Sequence, residues 1–413
     1  MDLISVEAAQ QQILAQFDIL PTETIGLLNA QGRVLAENII ATADLPRFDY
    51  SSMDGYALRA EDLSPEGEPT ELVLIEDIPA GAAPQKTVHA GQAARIMTGA
   101  ALPAGANCVV PVENSDHPFR GSVTILPETV KILQPVKNGA NVRVRGSEVA
   151  KGDLLLQQGS VISAATAGML ALAGVASVPV YRQAKIAIFS TGDEIRMPGS
   201  PLAPGQIYDA NAYTLQALVQ QQNAQPLALG IAPDNESRIQ ALFDQAVAAG
   251  ADIILTTGGV SVGVYDFVRK IIEEQGVVSL WRVNMRPGKP LLFGHYHNVP
   301  VFGLPGNPVS CFVGFLVFVI PVIRKMMGQA HLYPIRNRAR LQEPITSDGR
   351  ESYLRASVTP GQPNQVHLVG QQSSGDLYSL VKANALLIIP AGVKSLPAGT
   401  EADVILLDSL SVP

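Results

Sequence analysis

The stretch Lys185-Ile186-Ala187-Ile188-Phe189-Ser190-Thr191-Gly192-Asp193-Glu194 decides the fold. Lys185–Phe189 is an apolar run without polar alternation, which predicts a strand buried on both faces. A loop of small residues follows at once. The same unit recurs twice. Residues 252–255 lead into Thr256-Thr257-Gly258-Gly259-Val260-Ser261-Val262-Gly263, and residues 299–303 lead into Leu304-Pro305-Gly306-Asn307-Pro308. Residues 227–231 predict one more strand. Helical spacing appears between the strands: Leu215, Leu218 and Val219 after a capping Asn211; Ile239, Leu242, Phe243 and Val247; Val268, Ile271 and Ile272; and the run 309–325. Alternating apolar strands and helices imply a parallel sheet covered on both faces, a three-layer α/β domain over 181–328. Ligands on such sheets sit beyond the carboxyl ends of the strands.

Outside this region the texture changes. Residues 45–146 carry short β-type runs (72–75, 93–97, 108–112, 122–126) punctuated by Pro79, Gly81, Gly91, Pro103 and Gly105. This predicts a small β domain without a long helix. Residues 1–44 start with a helix capped by Ser5, with Val6, Ala9, Ile13, Leu14 and Phe17 on one face. Residues 147–180 share their mixed style, so the β domain reads as an insertion into a discontinuous linker domain, 1–44 plus 147–180. Residues 329–413 return to short strands divided by Pro360-Gly361, Gly375 and Pro397-Ala398-Gly399, which fits a C-terminal β-barrel.

Composition narrows the function. In 413 residues, 47% are hydrophobic and 16% charged, enough for several packed cores. The net charge of −8 argues against non-specific binding to nucleic acid or an acidic membrane. Cys108 and Cys311 are the only cysteines, too few for a disulfide framework. His295 and His297 have no third ligand nearby and read as a loop between strands. No basic leader opens the chain. The uncharged run 298–323 is broken by Gly303, Pro305, Gly306 and Pro308, and so reads as strand, loop and core helix rather than a membrane span. The expected location is the cytoplasm.

Three loops at one sheet edge bring glycines and free backbone N–H groups together, a setting for phosphate or another oxyanion. Carboxylates flank it: Asp193, Glu194, Asp234 and Asp266. Their functional reading is Mg²⁺ or another divalent cation held beside substrate phosphates; for Asp266 and Asp234 a helix cap or turn is the alternative. Arg282, Arg286 and Lys289 stand opposite, suited to neutralising an oxyanion. Gly259-Val260-Ser261-Val262-Gly263 also matches a nucleophile elbow, which would make Ser261 the nucleophile of a hydrolase. A triad needs a supporting histidine, and none has that context. No P-loop and no dinucleotide fingerprint occurs.

Several strings together resemble the molybdopterin molybdenumtransferase family, called MoeA in bacteria and the E domain of gephyrin in animals. They are Pro46-Arg47-Phe48-Asp49-Tyr50-Ser51-Ser52-Met53-Asp54-Gly55-Tyr56-Ala57, Arg95-Ile96-Met97-Thr98-Gly99-Ala100, Asn141-Val142-Arg143-Val144-Arg145-Gly146, the segments 190–194, 257–263 and 285–290, and Leu304-Pro305-Gly306-Asn307-Pro308. The resemblance implies an α/β molybdopterin-binding domain, an inserted β domain, a discontinuous linker domain and a C-terminal β-barrel, assembled as a homodimer with shared active sites. It implies that molybdate is inserted into adenylylated molybdopterin, with release of AMP and help from a divalent cation. Contact with a molybdopterin adenylyltransferase and with recipient molybdoenzymes would follow; nucleic acid and membrane would not. Carried over residue by residue, Asp54 and Thr98 come from the β domain as catalytic residues, and Glu194, Asp234 and Asp266 from the α/β domain as catalytic and metal-binding residues. Substrate would be held by Arg143, Gly258, Gly259, Ser261, Arg282, Arg286, Lys289, Pro305, Gly306, Asn307, Pro308 and Ser310, with Arg355 and Ser374 reaching in from the barrel. Two departures stand out. Arg282 and Arg286 occupy places where lysine is expected, and Arg145-Gly146-Ser147-Glu148 replaces R-G-E-D, so no role is carried over to Glu148. A non-catalytic scaffold is the remaining alternative, since the animal relative also assembles receptor clusters.

Overall fold

The computed structural model describes residues 3–118, 126–259 and 267–410. Its contacts divide the chain into two units, one of Asn38–Gln157 with Met169–Val175, the other of Met1–Glu37, Gln158–Gly168 and Ala176–Pro413.

The first unit is built on a five-stranded sheet ordered Cys108–Pro111, Gly55–Leu58, Gln92–Ile96, Thr70–Ile78, Thr129–Ile132. Its pairs are antiparallel except for Thr70–Ile78 beside Gln92–Ile96. Alternation sends Tyr56, Leu58, Cys108 and Val110 into one core and Ala57, Ala94, Ile96 and Val109 into the other. Gly55 is required there, because a Cβ would lie 1.9 Å from the Val110 carbonyl oxygen. Ile39–Ile40 pairs with Leu154–Leu156, and Tyr50–Ser51 with Val142–Arg143. No described residue of 45–146 lies in an α-helix. Part of the strand expected at 122–126 lies outside the described residues.

The second unit holds a six-stranded sheet ordered Gln225–Ala232, Lys185–Thr191, Ile253–Thr257, Val299–Leu304, Leu292–Tyr296, Gly276–Trp281. The first four strands are parallel, as their sequence implies. The last two form an antiparallel edge. Ile186 and Ile188 face a core shared with Leu215, Leu218 and Phe315, whereas Ala187 and Phe189 face one with Ile239, Phe243 and Ile271. Both faces are therefore covered, which gives three layers. Asn211 begins its helix but caps nothing; Asp209 Oδ1 accepts from Ala212 N instead, at 3.0 Å. Residues 309–325 lie in a helix of 19 residues, Pro308–Met326, interrupted by a π segment at Phe315–Val319. Among the described residues it alone is long and apolar enough to cross a membrane, and 89% of its apolar window is buried inside the protein.

The C-terminal strands Glu351–Thr359, Gln365–Leu368, Arg336–Leu341, Glu401–Leu406 and Ala385–Ile389 pair in that order, and the last pairs with the first. Closure leaves no free edge, and the barrel fills with Ala339, Leu354, Ala356, Val366, Leu387 and Val404. Met285–Arg286 adds alongside Glu351–Ser352.

The N-terminal helix Val6–Leu14 is capped by Ser5 Oγ, which accepts from Ala8 N at 3.2 Å. Val6, Ala9 and Ile13 bury in the same core as the six-stranded sheet. Thr22–Gly26 pairs with Ser177–Tyr181, and Val34 bridges Val161. These contacts join the two pieces expected of a linker domain. They also tie residues 1–37 to the α/β region, and the contacts divide the chain near residues 37 and 157.

Candidate active site

The α/β strands end together. Ser190 pairs with Thr257, and Thr257 with Leu304, so their three loops leave the sheet at one level. Thr257 Oγ1 donates to Ser190 Oγ at 2.9 Å, and Gly258 N donates to Leu304 O at 3.2 Å. Gly258 has φ +85°, and a Cβ would stand 2.6 Å from the Thr191 carbonyl oxygen. Only glycine fits that turn. Beyond it opens a cavity of about 600 Å³. Glu194, Gly258, Gly259, Pro305, Gly306, Asn307 and Pro308 line it, as do Ser190, Thr191, Asp209, Asn211 and Gly375. The N-terminus of the helix Pro308–Met326 therefore borders the cavity, where the helix dipole favours an anion.

Of the described carboxylates expected here, Glu194 lines the cavity, and Asp193 and Asp234 stand together beside it in the chain and by hydrogen bond. Asp193 Oδ1 accepts from Asp234 N at 3.1 Å. Burial, then the negative charges of Asp193 and Glu194, hold the Asp234 carboxyl above the usual carboxylate range. Asp266 and Ser261 lie outside the described residues. Among the described residues no cluster of three His, Cys, Asp or Glu side chains is disposed to hold a metal.

The cations fall into two groups. Arg286 is exposed and pairs with Asp348 at 3.7 Å, while Asp348 is held below its usual range chiefly by its hydrogen bond to Arg350. An exposed pair of this kind contributes less than about 1 kcal/mol, so Arg286 can turn to an anion at little cost. Lys289 is exposed beside Pro290, which lines the cavity. Arg282 has φ +76° and is half-buried, its N–H donating to Leu291 O at 3.1 Å. Arg355 departs from expectation. It is 0% exposed, and it lies on the outer face of its barrel strand, opposite Leu354 and Ala356, which fill the barrel. Its Nε donates to Ser379 Oγ at 2.9 Å, and its Nη2 to Gln371 O at 2.7 Å and Ser373 O at 2.8 Å. Arg355 thus braces the 371–376 loop from behind and does not itself line the cavity. That loop reaches the cavity through Gly375, and Ser374 O accepts from Val309 N at 3.0 Å. Ser310 is buried behind the same helix start.

Asp54, Thr98 and Arg143 belong to the other unit. Asp54 Oδ1 accepts from Thr98 N at 2.7 Å and from Thr98 Oγ1 at 2.8 Å, so the paired residues share one exposed turn. Arg143 is exposed in the strand pairing with Tyr50–Ser51. Sequence reasoning missed Asp209 as a lining residue and read Asn211 only as a cap. The string Tyr208-Asp209-Ala210-Asn211 carried the signal, two amide or carboxylate side chains at a helix start facing the strand ends.

Family models match nearly the whole chain: the MoeA N-terminal region (domain I and II) over residues 4–174, a probable molybdopterin binding domain over 187–325, and the MoeA C-terminal region (domain IV) over 338–407. A molybdopterin molybdenumtransferase from Nostoc sp. is 39% identical over 404 residues, covering 94% of this chain and 89% of its own. Molybdopterin molybdenumtransferase 2 from Mycobacterium tuberculosis is 37% identical over 409 residues, covering 97% and 98%. The crystal structure of a molybdopterin biosynthesis moeA protein from Pyrococcus horikoshii superposes with a TM-score of 0.80 at 31% identity, covering 98% of this chain and all of that one. On this footing the chain belongs to the MoeA family.

Proposed function

We propose that this chain is a transferase of molybdenum cofactor biosynthesis that inserts molybdenum from molybdate into adenylylated molybdopterin and releases AMP. One observation carries the reading: two glycine-bearing turns and the start of a 19-residue helix border a single cavity large enough for a nucleotide-linked pterin. In it, Gly258 and Gly259 let backbone approach a phosphate. Within the Pro305–Pro308 turn Gly306 and Asn307 carry N–H donors, and Arg286 and Lys289 neutralise phosphate or molybdate charge. Glu194 and Asp234, beside Asp193, would hold a divalent cation: burial first, and then the charges of Asp193 and Glu194, raises the Asp234 carboxyl, and a bound cation would relieve the part due to repulsion. Since the described carboxylates form no three-ligand cluster, phosphate oxygens would complete the shell. When bound, a cation supplies charge neutralisation at the phosphates. A triad hydrolase gains no support, since no described residue lining the cavity is histidine.

The rest of the proposal concerns assembly. The working form is a cytoplasmic homodimer, in which Asp54, Thr98 and Arg143 of one chain serve the cavity of the other. The four-part division into linker, inserted β, α/β and barrel domains is part of the same reading, as is contact with an adenylyltransferase and recipient molybdoenzymes. The test is reconstitution: purified protein, adenylylated molybdopterin, molybdate and magnesium. Molybdate-dependent release of AMP, one per molybdenum inserted, supports the proposal. AMP release without insertion, or no release at all, refutes it.

A further inference from the structure

We infer that Asn211 is a ligand-positioning residue whose amide carbonyl takes an N–H of the heterocycle bound in the cavity; this rests on the pterin-transferase reading above. Asn211 lines the cavity yet is only 8% exposed. Its Nδ2 donates to Gly306 O at 2.8 Å. Because a backbone carbonyl can only accept, this bond fixes the amide's orientation and leaves Oδ1 on the other side. Oδ1 is buried and makes no hydrogen bond. A buried acceptor without a donor is unfavourable and uncommon in folded proteins. Asn211 itself lines the cavity, and a ligand donor seated against its amide would supply the missing partner.

The cavity is polarised in a way that selects the donor. Its turns at Gly259 and Gly306 carry N–H groups, the side for an oxyanion. Around the start of helix Asn211–Gln221 its lining carries acceptors instead: the Asp209 carboxylate and Glu194, with Asn211 Oδ1 just beneath the surface. Molybdate carries no donor and is repelled there. A pterin carries an amide N–H and an exocyclic amine on one edge, which matches an acceptor wall. Ile195, Ile207, Pro305 and Pro308 supply apolar surface for the ring. Asn211 thus ties the oxyanion turn to the heterocycle wall through one side chain.

The experiment compares wild type with Asn211→Leu, which removes the acceptor, and Asn211→Asp, which keeps acceptors but removes the Gly306 donor and adds charge. Each is titrated with 6-hydroxymethylpterin and, separately, with molybdate, with and without magnesium, after thermal melts confirm folding. The expected ranking crosses. Pterin binding falls about tenfold or more in Asn211→Leu and far less in Asn211→Asp, whereas molybdate binding suffers most in Asn211→Asp. Equal loss of pterin in both variants, or loss in neither, overturns the inference. Pterin binding that requires magnesium overturns the direct N–H contact in favour of a cation-bound water. Wild type that binds molybdate but not the pterin overturns the inference alone; wild type that binds neither counts against the proposed function itself. If Asn211→Leu fails to fold, Asn211→Val takes its place with the same expected ranking.

Discussion

Replacing Gly258 by alanine separates the two demands made on this turn. The first is conformational: φ is +85°, where an L-residue costs about 1–2 kcal/mol. The second is steric: the added Cβ meets the Thr191 carbonyl oxygen at 2.6 Å and Thr191 Oγ1 at 3.1 Å. Thr191 lies in a central strand, so backbone must move, at about 1–3 kcal/mol more. The expected loss is about 2–5 kcal/mol in all. Gly250→Ala is the control: its φ is +69° and nothing lies within 4 Å of the new Cβ, so only the first cost applies, about 1–2 kcal/mol. Gly259→Ala should fall between, because its closest contact is the Val268 Cγ2 at 3.0 Å, a side-chain atom that can shift. Urea unfolding followed by circular dichroism reads all three, and molybdate titration reads the turn. Gly258→Ala should lose both stability and oxyanion affinity; Gly250→Ala should keep its affinity. Equal stability of Gly258→Ala and Gly250→Ala would refute the steric argument, and unchanged molybdate affinity in Gly258→Ala would refute the turn's role.

Asp234→Asn should raise stability at neutral pH, because the folded carboxyl is held above its unfolded value. Wild-type stability is therefore lost as pH rises from the unfolded value of 3.8 through the raised folded one, and the two proteins should converge below pH 3.8 in pH-dependent melts; magnesium should narrow the neutral-pH gap. Arg355→Met should cost about 1–3 kcal/mol in urea unfolding, since two carbonyls of the 371–373 segment and the buried Ser379 hydroxyl lose their donor; full stability with weakened molybdate binding would instead mean that Arg355 contacts ligand. Asp54→Ala should cost only about 1 kcal/mol, as the turn is exposed, while abolishing AMP release; a stability loss that accounts for the lost activity would make Asp54 structural. Mixed Asp54→Ala and Asp234→Ala chains should regain activity on subunit exchange if sites are shared, and should stay inactive if each chain works alone.

The sheet was legible wherever burial on both faces removed polar residues, as at Ile186–Phe189 and Ile253–Leu255. Its antiparallel edge was not. Gly276–Trp281 and Leu292–Tyr296 are separated by a charged turn containing Arg282, Arg286 and Lys289, which drew attention to charge instead of pairing. His295 lies in that edge and His297 in its hairpin turn. The π segment at Phe315–Val319 was invisible because five apolar residues in a row carry no period. Asn211 was misread since asparagine suits an N-cap; the nearby Asp209 takes that role and frees the amide to reach Gly306. Arg355 shows the limit of reasoning from charge: side-chain type says what it can bond, not that the 371–379 segment buries it against the outer face of the barrel. Glu194, Gly258 and the Pro305–Pro308 turn came together as expected because each ends or follows a strand of one parallel sheet.

The most direct measurement is a molybdate-soaked crystal recorded at the molybdenum absorption edge. The account predicts one anomalous peak per chain in this cavity, on the side of Gly258, Gly306 and Lys289. A peak elsewhere on the molecule, or none at saturating molybdate in a well-ordered crystal, would contradict it.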